Sequence, residues 1–437
     1  MALYGAMSTP RLQRPLAIAS LLYAAMLWGL VWYPYRLLGE AGVGGIASSF
    51  FSYAIPLLLM GWLHAREVRA ARPRWVWLAA LGLDVTVVCS GQSARPFVEH
   101  NVTFLPVVCA GLTRALRTYR FVQAARALCH AEHFDIVHAI TPCLAANVYQ
   151  PRGGTYAETM ARSLAPVHWP VWRQLKQLGR RFNVSQRFLT RVEGLLLGKY
   201  QQRVHVAAIS DYVRRQVEVG HGFPPARVRV VFNGVEVVPL SPPERAAERA
   251  RRRAELGLVH DAPLVLFAAH NFRLKGLAEL VRATAAAQPG RWTLAVLGRD
   301  DPHYYRGLAR RLGIATRVRF IGAQASIRSW YAAADALAHP TWYDPCSRVA
   351  LEALALGLPV VTTRYNGAAE IMQPGRHGLV VDEPDDIPAL AAALEDVLRP
   401  EVRAACRADA PRLHAQLSMA HHARELRAFY EHVLAAR

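Results

Sequence analysis

Two long uncharged runs open the chain, residues 15–35 with 21 in a row and residues 41–63 with 23 in a row. Each reaches the ~20 helical residues needed to cross a ~30 Å hydrocarbon core. Arg36 and Glu40 lie in the short turn between them. Arg11 and Arg14 precede the pair, and Arg66, Arg69, Arg72 and Arg74 follow it. The positive-inside rule then predicts a hairpin with both ends, and everything downstream, in the cytoplasm. Trp28, Trp32, Tyr33, Tyr35 and Trp62 fit interfacial belts at the run ends. Two helices buried in a soluble core are the other reading.

Past Arg74 the pattern changes to short apolar strands alternating with amphipathic helices. Strands are predicted at 83–89, 102–106, 134–139, 204–209 and 228–232, with helices at 113–131, 172–200 and 211–219. Residues 238–243 (VPLSPP) read as a linker. The alternation then restarts, with strands at 264–269, 293–298, 318–321, 336–338, 360–362 and 379–381. Helices at 277–287, 304–312, 327–334 and 349–356 connect them, and 389–437 reads as helical and Arg-rich. Such alternation predicts an α/β protein of two doubly wound domains with a cleft between them. The expected boundaries are a hydrophobic hairpin at 1–74, a first Rossmann-like domain at 75–238, a second at 239–420 and a terminal helix at 421–437.

Composition narrows this only at the edges. With 53% hydrophobic and 19% charged residues, general disorder is excluded. The six cysteines are scattered without a C-x-x-C pair, which argues against structural zinc and a disulfide framework. The net charge of +20 comes from 52 Lys+Arg against 32 Asp+Glu, and only Lys176, Lys199 and Lys275 are lysines. Charge alone leaves nucleic acid, an anionic membrane and a phosphate-bearing substrate open. No aromatic–basic module favours nucleic acid, so no nucleic-acid partner is expected.

Chemistry concentrates in the second α/β segment. Asn271-Phe272-Arg273-Leu274-Lys275-Gly276 follows a strand and opens a helix. Farther on, Asp344 and Glu352 stand eight positions apart, with Cys346, Ser347, Arg348 and Val349 between them at a helix start. Unpaired N–H groups at such a start attract an anion. Arg273 and Lys275 add two cations, making a clamp suited to a diphosphate with a carboxylate on either side.

This constellation resembles the Glu-x7-Glu motif of retaining family 4 glycosyltransferases of the GT-B fold, with Asp in place of the first Glu. Asn233-Gly234-Val235, Gly298 and Asn366-Gly367 with Glu370 support it. The phrases NFRLKG, LEALALGLPVVTT and Val148-Tyr149 through Tyr156-Ala157-Glu158 are similar to the lipopolysaccharide core glucosyltransferase I group. The resemblance covers residues 76–435. It implies that Asp344 bonds donor-sugar hydroxyls, that Glu352 holds the ribose, and that Arg273 and Lys275 stabilise charge on the departing diphosphate. Cys346, Ser347, Arg348, Val349 and Gly298 belong to the donor site on this reading. His138, at a strand end, lines the cleft, and Arg152-Gly153 reach an acceptor or donor phosphate. A nucleotide-sugar donor, a glycan or glycolipid acceptor, no metal cofactor and membrane contact through residues 15–63 follow as expectations. The location implied is the inner (cytoplasmic) membrane.

Two departures qualify the resemblance. The family's opening strand and Gly-rich loop are not found before residues 81–89; Gly42, Gly44 and Gly45 are the nearest glycine cluster. Residues 21–45, in turn, resemble the first helix and loop of drug/metabolite-type transporters. The expected function is sugar transfer with retention to an envelope glycan or glycolipid such as lipopolysaccharide core. The alternative is a degenerate enzyme fused to a transporter fragment.

Overall fold

The second α/β segment follows the predicted alternation closely, because its strands are short apolar runs, those at the centre of the sheet buried on both faces. The computed structural model describes residues 78–91, 96–167, 170–259, 261–288 and 291–436. The hairpin at 15–63, the glycines at 42–45 and the connector at 66–74 lie outside the described residues.

In the first half, β1 (Val85–Gly91) pairs parallel with β3 (Val102–Val108), and β2 (Phe97–Glu99) adds to β3 antiparallel. Helix α1 (Arg114–Ala131) follows, capped by Thr113, which accepts from Leu116 N. The strands β4 (His138–Ala139), β5 (Val148–Tyr149), β6 (His205–Ala208) and β7 (Val228–Val230) form a separate four-stranded parallel sheet in that order. The single doubly wound sheet expected here is therefore two sheets, one of them mixed. Between β5 and β6 run α2 (Tyr156–Arg162), α3 (Pro170–Arg181) and α4 (Val184–Leu197). The long helix predicted at 172–200 breaks at Asn183, whose side chain accepts from Gln186 N and starts α4. Helix α5 (Asp211–His221) begins at Ser210, which caps Val213 N, and ends on Gly222 in the left-handed region.

The second half begins with α6 (Pro242–Glu255), which starts inside the predicted linker. Ser241 and Glu244 form a reciprocal capping box there. Its elements are β8 (Leu264–Ala268), α7 (Leu277–Ala286), β9 (Thr293–Leu297), α8 (His303–Arg311), β10 (Val318–Gly322), α9 (Arg328–Ala333), β11 (Ala336–His339), α10 (Arg348–Ala355), β12 (Val360–Thr363) and β13 (Gly378–Val381). The six strands lie parallel in the order β10-β9-β8-β11-β12-β13. The order reverses between β8 and β11, and the loops after these two strands carry the charged clusters; such a switch point is where open α/β sheets bind ligands.

The tail expected as one helical stretch is three helices, α11 (Ile387–Val397), α12 (Pro400–Leu417) and α13 (Met419–Ala435). The last crosses back: Ala423, Leu426, Phe429 and Val433 pack with Val148, Ala207 and Val231 of the first half. A buried ion cluster locks α6 and α12 to the second sheet. Asp335, at 1% side-chain exposure, accepts from Arg249, Arg253 and Arg403 at 2.5–2.7 Å and from Leu264 N at 2.9 Å. Among the described residues no helix is long and apolar enough to cross a membrane.

Candidate active site

The loop between β8 and α7 places Lys275. Gly276 caps α7 with φ +76°, and a Cβ there would lie 1.9 Å from Pro340 O. Only glycine permits that approach. Phe272 is buried beneath the loop and its N–H donates to Asp300 Oδ2 at 2.8 Å, while Trp342 N donates to Leu274 O at 2.9 Å. The loop is thus stitched to the segment that follows β11. Arg273 stays exposed, with Nη2 3.5 Å from Pro166 O across in the first half.

Lys275 and Asp344 meet. The lysine Nζ donates to Asp344 Oδ2 at 2.7 Å and to Tyr343 O at 2.9 Å. His339, at the end of β11, places Nε2 3.1 Å from the same Oδ2 and stacks on Phe267. Burial works against the Asp344 carboxylate, yet the Lys275 charge and the His339 bond hold its pKa well below the usual carboxylate range. Burial lowers the His339 pKa, so the ring is neutral and its Nε2–H donates; Nδ1 is buried without a partner among the described residues.

Helix α10 starts beside this pair. Ser347 caps it by accepting from Ala350 N, and its own N–H donates to Asn366 Oδ1 at 3.1 Å. One of the four N–H groups expected to greet an anion is therefore spent on Asn366, which also accepts from Ala368 N. Cys346 is buried and burial pushes its thiol up, so it is a protonated wall rather than a nucleophile. Arg348 is half exposed and lies 3.5 Å from Glu352, one turn on. Glu352 also accepts from Tyr331 Oη at 3.0 Å. Gly298, at the end of β9, has φ +152° and faces Ala269 O, where a Cβ would approach to 2.0 Å. It shapes the loop that holds Arg273 rather than contributing a polar group.

On the first half, His138 is held by Tyr430 of α13, with Nδ1 2.5 Å from the hydroxyl, and its Nε2 is buried without a partner among the described residues. Burial, then the charges of Arg152 and His422, push its pKa down to about 3. Arg152 donates to Gln150 Oε1 at 2.9 Å, and Gly153 O accepts from Tyr343 Oη at 2.9 Å. Arg152-Gly153 and Asp344 thus share one junction through Tyr343. His339, Tyr343 and Ser210 organise the site without having been singled out for it, alongside Asn366, which the sequence had marked. The glycine pair Gly153-Gly154 and the histidine closing an apolar strand were the available signals. A cavity of about 220 Å³ opens at the hinge, lined by Asn233, Gly234, Glu370, Gln416 and His421 among others. Neither Lys275 nor Asp344 lines it, so the chemistry is assigned from the ion pair and not from cavity size. Among the described residues no group of three His, Cys, Asp or Glu could hold a metal ion.

Two family matches divide the chain as the sheets do. Residues 76–238 match Glycosyltransferase Family 4, and residues 262–400 match Glycosyl transferases group 1. The chain carries glycosyltransferase domains in a GT-B fold. Both matches lie beyond residue 75, so the transporter resemblance of residues 21–45 gains no support from them. Among curated relatives, D-inositol 3-phosphate glycosyltransferase 2 of Catenulispora acidiphila is 35% identical over 40% of this chain and 44% of its own length. The lipopolysaccharide core biosynthesis glycosyltransferase LpsE of Rhizobium meliloti is 37% identical over 33% of this chain and 42% of its own. The chain therefore covers less than half of either. Among solved structures, WaaG, a glycosyltransferase involved in lipopolysaccharide biosynthesis, matches with TM-score 0.62 at 22% identity, over 80% of this chain and 91% of that one. Anabaena HepE, solved with UDP and glucose, matches with TM-score 0.55 at 19% identity, over 76% of this chain and 87% of that one. These two likenesses speak to the GT-B fold.

Proposed function

We propose that this glycosyltransferase moves a hexosyl group, with retention, from a nucleotide-diphosphate sugar to a hydroxyl of an envelope glycan or glycolipid such as lipopolysaccharide core. The observation that carries the reading is the Lys275–Asp344 pair at the start of α10, 2.7 Å long and less than one-fifth exposed. Both side-chain bonds to Asp344 fall on Oδ2, which leaves Oδ1 to accept from a donor hydroxyl. Lys275 has a third N–H, and with Arg273 and the α10 N-terminus it meets the negative charge that grows as the anomeric C–O bond breaks. The leaving diphosphate takes the bonding electrons. The acceptor oxygen bonds the anomeric carbon on the same face, and its proton passes to the departing diphosphate oxygen. Glu352 would hold the ribose hydroxyls, and the cations in this scheme do the neutralising work without a metal. His138 and Arg152-Gly153 would face the acceptor.

The names of the relatives point to different acceptors, an inositol phosphate for one and lipopolysaccharide core for the other, so the acceptor rests on the surface of this chain. The apolar residues Val171, Leu175 and Leu178 on α3, and Phe182 just past its end, are 50–76% exposed. On the other face, Lys176 donates to Ser163 O and Arg180 to Met160 O. From Met160 to Val192 there are seven Lys/Arg and no Asp or Glu. A helix turned this way, in a basic segment, suits the surface of an anionic bilayer and a lipid-linked acceptor, with the catalytic halves on the cytoplasmic side.

The test is release of nucleoside diphosphate from a panel of UDP-, GDP- and ADP-sugars by the full chain, wild type against Lys275→Ala. A fall of 100-fold or more is expected; equal turnover removes the assigned clamp. Proton NMR of the product gives the anomeric configuration, and inversion refutes retention.

A further inference from the structure

The stretch carrying Asp344 is bonded to the opposite half of the protein on both sides of that residue. Trp342 O accepts from Arg162 Nε at 3.0 Å, and Pro345 O accepts from Ser210 Oγ at 2.6 Å. Cys346 O accepts from Asn233 Nδ2, at the hinge, at 3.3 Å. Tyr343 reaches furthest. Its hydroxyl donates to Gly153 O at 2.9 Å and lies 3.4 Å from both Thr159 Oγ1 and Gln216 Oε1. Gly154 has φ +72°, and a Cβ there would sit 1.8 Å from the Tyr343 oxygen. Gly367 leaves similar room, since its Cβ would lie 2.0 Å from Pro345 O and 2.4 Å from Ser210 Oγ. Glu370 adds a crossing by accepting from Asp211 N and Tyr212 N at 2.6 and 2.5 Å.

Among the described residues Asp344 itself bonds within its own half: Lys275 and His339 by side chain, Tyr365 O and Gly367 N by backbone. Its immediate neighbours are what the other half grips. A carboxylate whose oxygens must meet sugar hydroxyls within a few tenths of an ångström needs its backbone fixed. That fixing comes in large part from the acceptor-side half.

We propose that Tyr343 is a positioning residue: docked into the Gly153–Gly154 turn, it makes the placement of Asp344 depend on contact between the two halves. The proposal rests on the donor-site reading of Asp344 and adds a condition to it. The donor carboxylate reaches its working position only when the acceptor-side wall is seated. Nucleotide binding draws mainly on the cations Arg273 and Lys275, carried by the loop after β8, and so depends far less on Tyr343 than turnover does. An unproductive encounter with a donor in an open cleft then wastes less sugar on water.

The experiment uses the full chain and Tyr343→Phe, which keeps the ring and removes the hydroxyl. Ser210→Ala serves as a second, milder variant. Hydrogen exchange of the peptide spanning residues 341–348 is expected to accelerate about tenfold in Tyr343→Phe, with β9 and α11 unchanged. Affinity for UDP, GDP or ADP, whichever binds the wild type, is expected within twofold of wild type by calorimetry. Turnover of the matching nucleotide sugar is expected to fall tenfold or more in kcat, with KM for the donor within threefold. Ser210→Ala is expected to move in the same direction by a smaller factor. Unchanged exchange at 341–348 overturns the proposal, whatever the donor. So does a fall in nucleotide affinity that matches the fall in turnover, because the tyrosine would then be supporting the whole site. If the wild type binds none of the nucleotides and turns over none of their sugars, the donor-site reading fails, and the exchange result still decides whether Tyr343 fixes the loop.

Discussion

Replacing Lys275 with alanine should destabilise the protein by an amount that depends on pH, and the dependence identifies the cause. Lys275 Nζ sits 2.7 Å from Asp344 Oδ2, with the two side chains 18% and 15% exposed. The gross attraction of such a pair, at an effective dielectric near 20, is about 6 kcal/mol, most of it offset by desolvation. Removing one partner from a fully buried pair costs about 3–5 kcal/mol, because the other charge is left uncompensated. The residual solvent access here lowers that to about 2–3 kcal/mol. The sign with pH follows from Asp344. Its folded pKa is held below the unfolded value, so the stability it contributes is present above the unfolded value of about 3.9 and is lost as pH falls through the folded one. The gap between wild type and Lys275→Ala should therefore be full at pH 7 and shrink below about pH 4. Urea midpoints at pH 7, 4 and 3, completed with Asp344→Asn and the double variant, isolate the coupling. A gap under about 0.5 kcal/mol at pH 7, or one that stays constant down to pH 3, refutes the argument, since a surface pair would give the first and a packing defect the second.

Three further outcomes follow from the geometry. Gly276→Ala meets Pro340 O at 1.9 Å with φ +76° and should destabilise by about 2–4 kcal/mol, seen as a lower Tm with donor turnover lost alongside. Asp335→Ala strands Arg249, Arg253 and Arg403 around a buried void; a loss of about 3–5 kcal/mol, or about 4–7 °C in Tm, is expected by calorimetry, and a shift under about 2 °C would contradict it. Glu193 accepts from Tyr149 Oη and Tyr156 N, both at 2.7 Å, yet burial pushes its carboxyl up to about 7. A folded pKa above the unfolded one means its contribution is full below about pH 4.3 and is lost as pH rises through 7. Glu193→Gln should flatten the stability profile between pH 5 and 8, and parallel urea profiles for the two proteins would count against this.

The second half was legible because its rules are local. Six predicted runs of three to six residues became six parallel strands, each with a single bound shifted by one residue. The first half was read less well, since β4 and β5 are only two residues long and depend on neighbours that periodicity does not name. Asn183 shows the same limit: a polar residue inside a helical pattern looks neutral until its side chain caps Gln186 N and splits the helix. Pro242 and Pro243 read as linker, and the Ser241–Glu244 box turned them into the first turn of α6.

At the site, the chain alone determined which residues carry charge, that Arg273, Lys275 and Asp344 follow strands in loops, and that Glu352 lies in the helix after Asp344. Strand and loop positions are written in hydrophobic spacing, which acts over a few residues, whereas the strand order that brings these loops together at a switch point is set by the fold. Only the tertiary structure decided that Lys275 pairs with Asp344 and His339 supports it, that Asn366 takes an N–H from the α10 start, and that Tyr343 inserts between Gly153 and Gln216. Those contacts join residues up to 190 positions apart, and at that range which partner a side chain meets is set by packing between the two halves.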